Sequence, residues 1–358
     1  MPKDNILHIG VDENCSWELL CEATVLLSEV TKIKTAPTTI WYLPIGWAER
    51  LRQSLYEVIA QLEQKATTSF IEKNFPNEYL FSHISEAHMT LGHSLLEHQK
   101  QLEVLSQLIG NEDMGCQTLI SELFANKRSL SVLKNRHKDR RCFIIGNGPS
   151  LKQTDLRRLR KEITFGCNAI FLIEELYPFK PTYYVIEDRL IAEDRAEEIN
   201  SFNGSVKLYP WDQRCRLNGN AYYPLVRTYE PYPQFSDDIS CAVYTGWTVT
   251  YISLQLAWYM GIRDIYLVGV DGTYVSLSNP DDNCVITSTT KDHNHFHPDY
   301  YGPGRRWHRP QPERIKAAYE CAASFALRNN GRIQNATRGG QLNIFPRVDY
   351  DVVTNNLV

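Results

Sequence analysis

Long apolar runs, paired cysteines and a strong excess of either charge are all missing from this sequence. No apolar run approaches the ~20 residues of a membrane helix, and the chain does not begin with the basic residues and apolar core of a signal peptide. The nine cysteines form no CxxC pair and no zinc-finger spacing, which is typical of reduced thiols. We therefore expect a soluble, cytoplasmic protein, and peripheral attachment to a membrane stays open.

The charge balance and two missing motifs exclude further classes. A formal net charge of −4 gives no general attraction to a polyanion, which argues against nucleic-acid binding. The GxSxG elbow of serine hydrolases and the GxxxxGK[ST] loop of P-loop proteins are both absent. Any anion site must therefore be local and of another type.

The length of 358 residues predicts two domains, because a single core rarely holds that many. Residues 1–138 have leucines at helical spacing, around 51–62 and 91–109, and predict a mainly helical domain. We expect this domain to serve packing or oligomerisation, and the protein to form a homo-oligomer. A stretch rich in Lys and Arg then leads into a second domain over residues 139–358.

Short apolar runs alternate with helical patterns in the second domain. We predict strands at 142–145, 163–167, 182–186, 206–209 and 264–268, and helices at 190–199, at 249–259 and after Pro312. This alternation predicts an α/β fold, a Rossmann-like and mostly parallel sheet with helices on both faces.

The most informative motif follows the first of these strands. Glycines at the end of a strand let the backbone turn sharply and bring N–H groups close to a ligand, and the next helix offers its positive end to phosphate. Ligands of open α/β sheets bind in that crevice. We therefore predict phosphate or nucleotide binding, against the alternative of an ordinary tight turn, at Gly146, Asn147, Gly148, Pro149 and Ser150.

Other polar residues follow further predicted strands, or precede a predicted helix, at the same carboxyl edge of the sheet. Amides and carboxylates there suit ribose hydroxyls, phosphate oxygens or a cation, although each residue alone fits a turn or a helix cap equally well. Their convergence predicts a donor-binding site formed by Asn168, Asp188 beside Glu187, Thr245, Gly246, Trp247, Asp271 and Tyr274.

A segment rich in histidine and aromatic residues runs from Asp292 to Tyr301. Histidine is the side chain most readily used as a base near neutral pH, so a catalytic or donor-contacting role is favoured for His295, His297 or, further on, His308. Two alternatives stay open. Alternating histidines can share a metal ion, and the segment can be a purely structural loop.

The order of these motifs resembles a known group of proteins. It is similar to that of bacterial sialyltransferases of the family-42 glycosyltransferase type, and to the broader group with motility-associated flagellin glycosylation proteins and archaeal hydroxymethylpterin diphosphokinases. The resemblance covers roughly residues 141–350 and leaves the first 138 unmatched. It rests on Gly146–Lys152, Cys167-Asn168, Thr245-Gly246, Ile265–Asp271, Asn335–Gly340 and Phe345–Asp349.

The resemblance implies a Rossmann-like domain that holds a cytidine-monophosphate-activated sugar without an obligatory metal or other cofactor, with the glycine loop and Asn168 on the nucleotide. It also implies a histidine base within the pattern Ser-His-Tyr-x-Gly-His. The second histidine of that pattern is the base. Asn294-His295-Phe296 fits the first half of the pattern, and an ungapped alignment places Asp299 at the position of the second histidine. The candidate bases are therefore His295, His297, Asp299 and His308.

Three hypotheses follow. The leading one is a glycosyltransferase that moves a sialic-acid-like, nonulosonic-acid sugar from a CMP-activated nucleotide-sugar donor to a hydroxyl of a glycan or protein acceptor. The alternative is an ATP-dependent transferase like the 6-hydroxymethylpterin diphosphokinases, which would need Mg²⁺ near Asp188 or Asp271. The third is a non-catalytic binding protein on the same fold.

Overall fold

The chain divides into two compact units. The first comprises Met1–Lys127 with Thr228–Tyr232, and the second Arg128–Arg227 with Pro233–Val358. A computed structural model describes four strands before residue 125 and, from there on, residues 125–217, 221–224, 226–227, 232–240, 242–273 and 285–355.

The four described strands of the first unit form a parallel sheet in the order β3-β2-β1-β4. They are β1 (Ile6–Val11), β2 (Thr38–Pro44), β3 (Thr68–Lys73) and β4 (Met89–Leu91). The sequence predicts a mainly helical region here and does not reveal this sheet, because periodicity does not distinguish short apolar strands from buried helices. The two leucine-rich stretches predicted as helices lie outside the described residues, apart from Leu91 in β4.

The second unit is built on seven parallel strands, which confirms the predicted α/β, Rossmann-like fold. Their order is β15-β12-β5-β6-β7-β8-β9. The strands are β5 (Arg141–Ile145), β6 (Ile163–Cys167), β7 (Tyr183–Val185), β8 (Val206–Leu208), β9 (Ala221–Tyr222), β12 (Asp264–Val268) and β15 (Arg332–Asn335). Two small pairs accompany them, β10 (Val226–Arg227) with β11 (Val243–Tyr244) and β13 (Val285–Thr287) with β14 (Arg306–His308).

The central strands are apolar because both of their faces are covered. Ile144 of β5 lies opposite Leu267 of β12 on one side and Phe165 of β6 on the other, and all three side chains are fully buried. Strands buried on both faces have continuous apolar runs instead of alternation. This is why the sequence predicted β6 and β12 with their observed bounds.

Apart from a helical segment over 125–131, the described residues contain five α-helices: α1 (Arg189–Asp194), α2 (Ala196–Ser201), α3 (Val249–Tyr259), α4 (Pro312–Arg328) and α5 (Tyr350–Thr354). Every residue of α3 is buried, as its apolar sequence predicts. The single helix predicted over 190–199 is divided at Arg195, where φ is −133°. The buried Arg195 side chain donates to the carbonyl oxygens of Asp299 and Tyr300. Among the described helices, none has the length and apolar character to cross a membrane.

The basic stretch before β5 packs against the end of α3. Leu130 and Leu133 are buried. The N–H groups of Asn135 and His137 donate to the carbonyl oxygens of Tyr259 (3.0 Å) and Met260 (2.7 Å). These bonds satisfy carbonyl groups that a helix end leaves unpaired.

The order of the strands reverses between β5 and β12. From β5 the chain builds outward through β6, β7, β8 and β9, and then returns to add β12 and β15 on the other side of β5. Ligands of such sheets bind where the order reverses, outside the carboxyl ends of the strands. The glycine motif lies at this position.

Candidate functional site

The loop after β5 is fastened to the end of β12. The N–H groups of Gly146 and Gly148 donate to the carbonyl oxygens of Val268 (2.8 Å) and Gly269 (2.9 Å). Ser150, in the short 3₁₀ helix Pro149–Gln153, donates through its hydroxyl to Oδ2 of Asp271 at 2.8 Å, and its backbone N–H bonds the same carboxylate. The two loops therefore form one rigid rim at the point where the strand order reverses.

The two glycines of the motif are required by close packing. A Cβ atom at Gly146 would lie 2.5 Å from the carbonyl oxygen of Gly269, and one at Gly148 would lie 1.8 Å from Oδ2 of Asp271. Three of the N–H groups in the motif are therefore bonded within the protein, and the binding of phosphate or nucleotide by this loop stays a prediction. In the structure the N–H groups of Gly146, Gly148 and Ser150 are taken up by the end of β12, because the loop packs directly against that strand.

Asp271 is a half-buried carboxylate at this rim. Burial raises its pKa above the ordinary value, while hydrogen bonds from Ser150 and the charges of His295 and Arg347 act in the opposite direction. The influence of His295 shows that the histidine-rich segment lies close to the end of β12. Tyr274, which was predicted beside Asp271, lies outside the described residues.

Asn147 connects three elements. Its Nδ2 donates to the carbonyl oxygen of Cys167 at the end of β6 (3.0 Å) and to the hydroxyl of Tyr300 (3.3 Å). Its backbone carbonyl oxygen accepts a hydrogen bond from the N–H of Phe296 at 2.8 Å. The glycine loop therefore points toward β6 and the histidine-rich segment.

Asn168 has a left-handed backbone conformation, with φ of +48°, directly after β6. Its Oδ1 accepts from the N–H of Glu187 at 3.3 Å, its carbonyl oxygen accepts from the hydroxyl of Tyr184 at 2.7 Å, and its side chain also bonds the Tyr300 hydroxyl. Asn168 is thus held within the protein and fixes the spacing of β6 and β7.

Two adjacent carboxylates after β7 have different roles. Asp188 accepts from the N–H groups of Leu190 and Ile191 at the start of α1, and its Oδ2 accepts from the Tyr301 hydroxyl at 2.8 Å. Glu187 instead bonds the side chain of Thr245.

The pKa of Glu187 is raised to about 7. Burial is the largest cause, the negative charges of Asp188 and Asp212 add to it, and the bond to Thr245 acts against it. A carboxyl group with a pKa near neutrality at the carboxyl end of a strand in such a sheet is a candidate functional group. The sequence favours the neighbouring Asp188 as the site residue, because only the folded chain shows that Asp188 caps α1 while Glu187 does not.

The segment before α3 supplies an exposed aromatic ring. Thr248, and not Thr245, caps this helix by accepting from the N–H of Thr250. Gly246 is buried, and a Cβ there would lie 2.4 Å from the ring of Tyr251. Trp247 has a φ of +59° and is 36% exposed, with the guanidinium of Arg314 over its ring at 5.1 Å.

In the histidine-rich segment, His295 is paired with a carboxylate. Its Nδ1 lies 2.7 Å from Oδ2 of Asp292, and its ring is stacked on that of Tyr300 with centroids 3.9 Å apart. Burial acts to raise the pKa of Asp292, but the bonds from His295 and from the N–H groups of Asn294 and Tyr301 outweigh burial and lower it. Asp292 is therefore an ionised carboxylate that orients the imidazole.

The other candidate bases lie in different settings. His297 is buried, with Nε2 3.0 Å from Glu175 and Nδ1 accepting from the N–H of Asp299, so its ring nitrogens are both occupied. Asp299 is exposed, and His308 is exposed at the end of β14, opposite Val285. Within the part of the chain that the structure describes, no three His, Cys, Asp or Glu side chains are grouped to hold a metal ion.

Together these contacts join the carboxyl ends of four strands into one site. The ends of β5 and β12 are linked through Ser150 and Asp271, β5 and β6 through Asn147, and β6 and β7 through Asn168. The histidine-rich segment closes over the same loop through Phe296.

Comparison with known families gives a match over the middle part of the chain. The model described as 6-hydroxymethylpterin diphosphokinase MptE-like matches residues 117–276. The chain is similar to that family from before β5 to just beyond β12, a stretch that includes the glycine loop and Asp271. No curated protein matches the chain. The match supports the diphosphokinase side of the resemblance and gives no support to the sialyltransferase hypothesis.

Proposed function

We propose that the second unit is a diphosphokinase-like transferase, which moves a diphosphoryl group from ATP to a hydroxymethyl group on a planar heterocycle such as a pterin. The observation that carries the proposal is the acidic rim along the carboxyl ends of the sheet, where Asp271 follows β12 at the point of strand-order reversal, and Glu187 and Asp188 follow β7. The family match over this region supports the same chemistry.

An acidic rim suits a polyphosphate only together with a cation. Carboxylates repel phosphate oxygens, and the N–H groups of Gly146, Gly148 and Ser150 are already bonded to the end of β12 and to Asp271. Magnesium is commonly held by one or two carboxylates, with substrate phosphates and water completing its shell. Of the carboxylates at the strand ends, Asp271 would hold such an ion, because it is a half-buried oxygen donor at the point where the strand order reverses. When bound, Mg²⁺ would neutralise charge on the phosphates.

The pair of Asp292 and His295 supplies a base. With the carboxylate of Asp292 bonded to Nδ1–H, the Nε2 atom of His295 is the basic nitrogen. In the proposed reaction the acceptor hydroxyl oxygen bonds to the β-phosphorus of ATP, and its proton passes to Nε2. The bond between that phosphorus and the oxygen bridging to the α-phosphorus breaks, and AMP leaves with the electron pair.

The test is an assay of the full chain with ATP, MgCl₂ and 6-hydroxymethylpterin. We expect AMP and a diphosphorylated pterin in equal amounts, and loss of both products in Asp271→Asn. Glu197→Gln, which changes an exposed carboxylate on α2, is the matched control and should keep the activity.

A parallel incubation contains a CMP-activated nonulosonic acid and a glycan acceptor. Release of CMP there, without AMP in the first assay, would overturn the proposal in favour of a glycosyltransferase. Stabilisation by neither nucleotide in thermal unfolding would reject both enzymes, since a ligand of the native state must raise Tm.

A further inference from the structure

One buried polar atom in the glycine loop has no partner. Oδ1 of Asn147 is buried, and among the described residues no group lies within hydrogen-bond distance of it. The residue is 8% exposed and directly follows Gly146 at the carboxyl end of β5. The unpaired oxygen therefore belongs to the place in the sheet where a ligand is expected.

The orientation of the amide is fixed by its other contacts. Its nitrogen faces the carbonyl oxygen of Cys167 at 3.0 Å, and a carbonyl oxygen can only accept a hydrogen bond. Exchanging the nitrogen and oxygen would place two acceptors against each other. The side of the amide without a partner is therefore the acceptor side.

Unpaired buried acceptors are rare in native proteins, and each calls for a missing partner. Here the partner must be a hydrogen-bond donor. Ionised phosphate offers only acceptor oxygens, so it does not satisfy Oδ1 of Asn147. A ribose hydroxyl, or an amino group on a base or a pterin ring, does.

We infer that Oδ1 of Asn147 accepts a hydrogen bond from a hydroxyl or amino group of the bound substrate, and that Asn147 selects the sugar or ring of that substrate and not its phosphates. This inference rests on the proposed function, because it takes ATP and the heterocycle as the occupants of the crevice. It changes the role expected from the sequence, where Asn147 was part of a phosphate-binding loop.

The experiment compares ligands that differ by one donor. Binding to the full chain is measured by calorimetry, with Mg²⁺, for ATP, 2′-deoxyATP, 3′-deoxyATP and purine riboside triphosphate, and for 6-hydroxymethylpterin and its analogue without the ring amino group. The same series is measured for Asn147→Ala. The deoxy analogues test whether the donor to Oδ1 of Asn147 is a ribose hydroxyl, and the analogues without an amino group test whether it is an amino group on a ring.

We expect one analogue to bind the unaltered protein about tenfold more weakly than its parent, since it leaves the buried acceptor unpaired. Asn147→Ala should bind that analogue and its parent equally, because the acceptor that distinguishes the two ligands is then absent. Asn200→Ala, which removes an amide at the end of α2, should keep the full difference. If Asn147→Ala is too unstable to measure, Asn147→Leu serves the same comparison, since its side chain has nearly the same shape and carries no acceptor.

The results separate this inference from the proposed function. If ATP and the pterin bind, but every analogue shows the same ratio to its parent in the unaltered protein and in the Asn147 variants, the inference is overturned and the proposed function stands. If neither ATP nor the pterin binds the unaltered protein, the proposed function fails and the inference fails with it.

Discussion

The hydroxyl of Ser150 donates a 2.8 Å hydrogen bond to Oδ2 of Asp271, although the two residues are 121 positions apart in the chain. The bond joins the loops after β5 and β12, the two strands between which the strand order reverses. Gly148 lies against the same carboxylate, at a distance that leaves no room for a side chain. One contact therefore fixes both the shape of the loop and the position of a carboxylate proposed to act on the substrate.

The first prediction concerns Gly148→Ala. The new Cβ would lie 1.8 Å from Oδ2 of Asp271, so the carboxylate must move. We expect a loss of about 1–3 kcal/mol in the free energy of unfolding, as is typical of overpacking, together with loss of the ATP-dependent activity. Urea unfolding and AMP formation measure the two effects.

The double variant Gly148→Ala with Asp271→Ala is the companion test. Removing the carboxylate makes room for the new methyl group, so stability should recover in part while activity stays absent. Unchanged stability of Gly148→Ala alone would show that the contact between Gly148 and Asp271 is not as close as described.

These residues show what the sequence could and could not predict. The sequence predicts the glycines and Asp271 at the same edge of the sheet, because parallel strands buried on both faces are visible as apolar runs. The use of the glycines was not visible, since a turn that offers its N–H groups to phosphate and one that packs against a neighbouring carboxylate have the same residues. Likewise, only the folded chain shows that Asp188 caps α1 while Glu187 bonds Thr245.

The second prediction concerns Asp292→Asn. The amide keeps the shape of the carboxylate but removes the charge that holds the Nδ1–H form of His295. We expect kcat to fall by about 10²–10⁴-fold with a smaller change in KM, and the pH dependence of kcat to change. Steady-state kinetics between pH 5 and 9 measure both.

His297→Gln is the matched histidine control. The ring of His297 is buried against Glu175 and the N–H of Asp299, so its loss should lower Tm while kcat at 20 °C stays within a few-fold of the unaltered value. A larger loss of kcat in His297→Gln than in His295→Gln would contradict the assignment of His295 as the base.

The third prediction is a pH dependence of stability caused by Glu187. Its pKa in the folded protein is about 7, against an ordinary value of 4.5 for a glutamate side chain. Between these values the folded chain keeps a proton that the unfolded chain releases, so stability falls as pH rises from about 4.5 to about 7 and levels off above. Glu187→Gln cannot ionise, and at pH 8 it should be more stable than the unaltered protein by about 1–3 kcal/mol.

Urea unfolding at pH 4.5, 6 and 8 tests this dependence. The two proteins should be nearly equal in stability at pH 4.5 and diverge toward pH 8, and Glu197→Gln on the exposed side of α2 should show no divergence. A constant difference at all three pH values would mean that Glu187 does not retain its proton in the folded state.

The last prediction concerns the backbone strain at Trp247. A tryptophan at a φ of +59° costs about 1–2 kcal/mol relative to glycine, and such strain in a native protein tends to occur at functional sites. Replacing it with glycine relieves the strain but removes the contact with Arg314, worth about 0.5–1 kcal/mol. Stability should therefore change by no more than about 1.5 kcal/mol.

If the exposed ring stacks on a planar heterocycle, Trp247→Gly should weaken binding of ATP or of the pterin by about tenfold or more, since stacking of a base on an aromatic ring contributes about 1–3 kcal/mol. Trp247→Phe keeps a ring at the same strained position and should retain most of the affinity. Equal dissociation constants for the unaltered protein and Trp247→Gly, measured by calorimetry for both ligands, would remove Trp247 from the site and leave its strained backbone without a functional explanation.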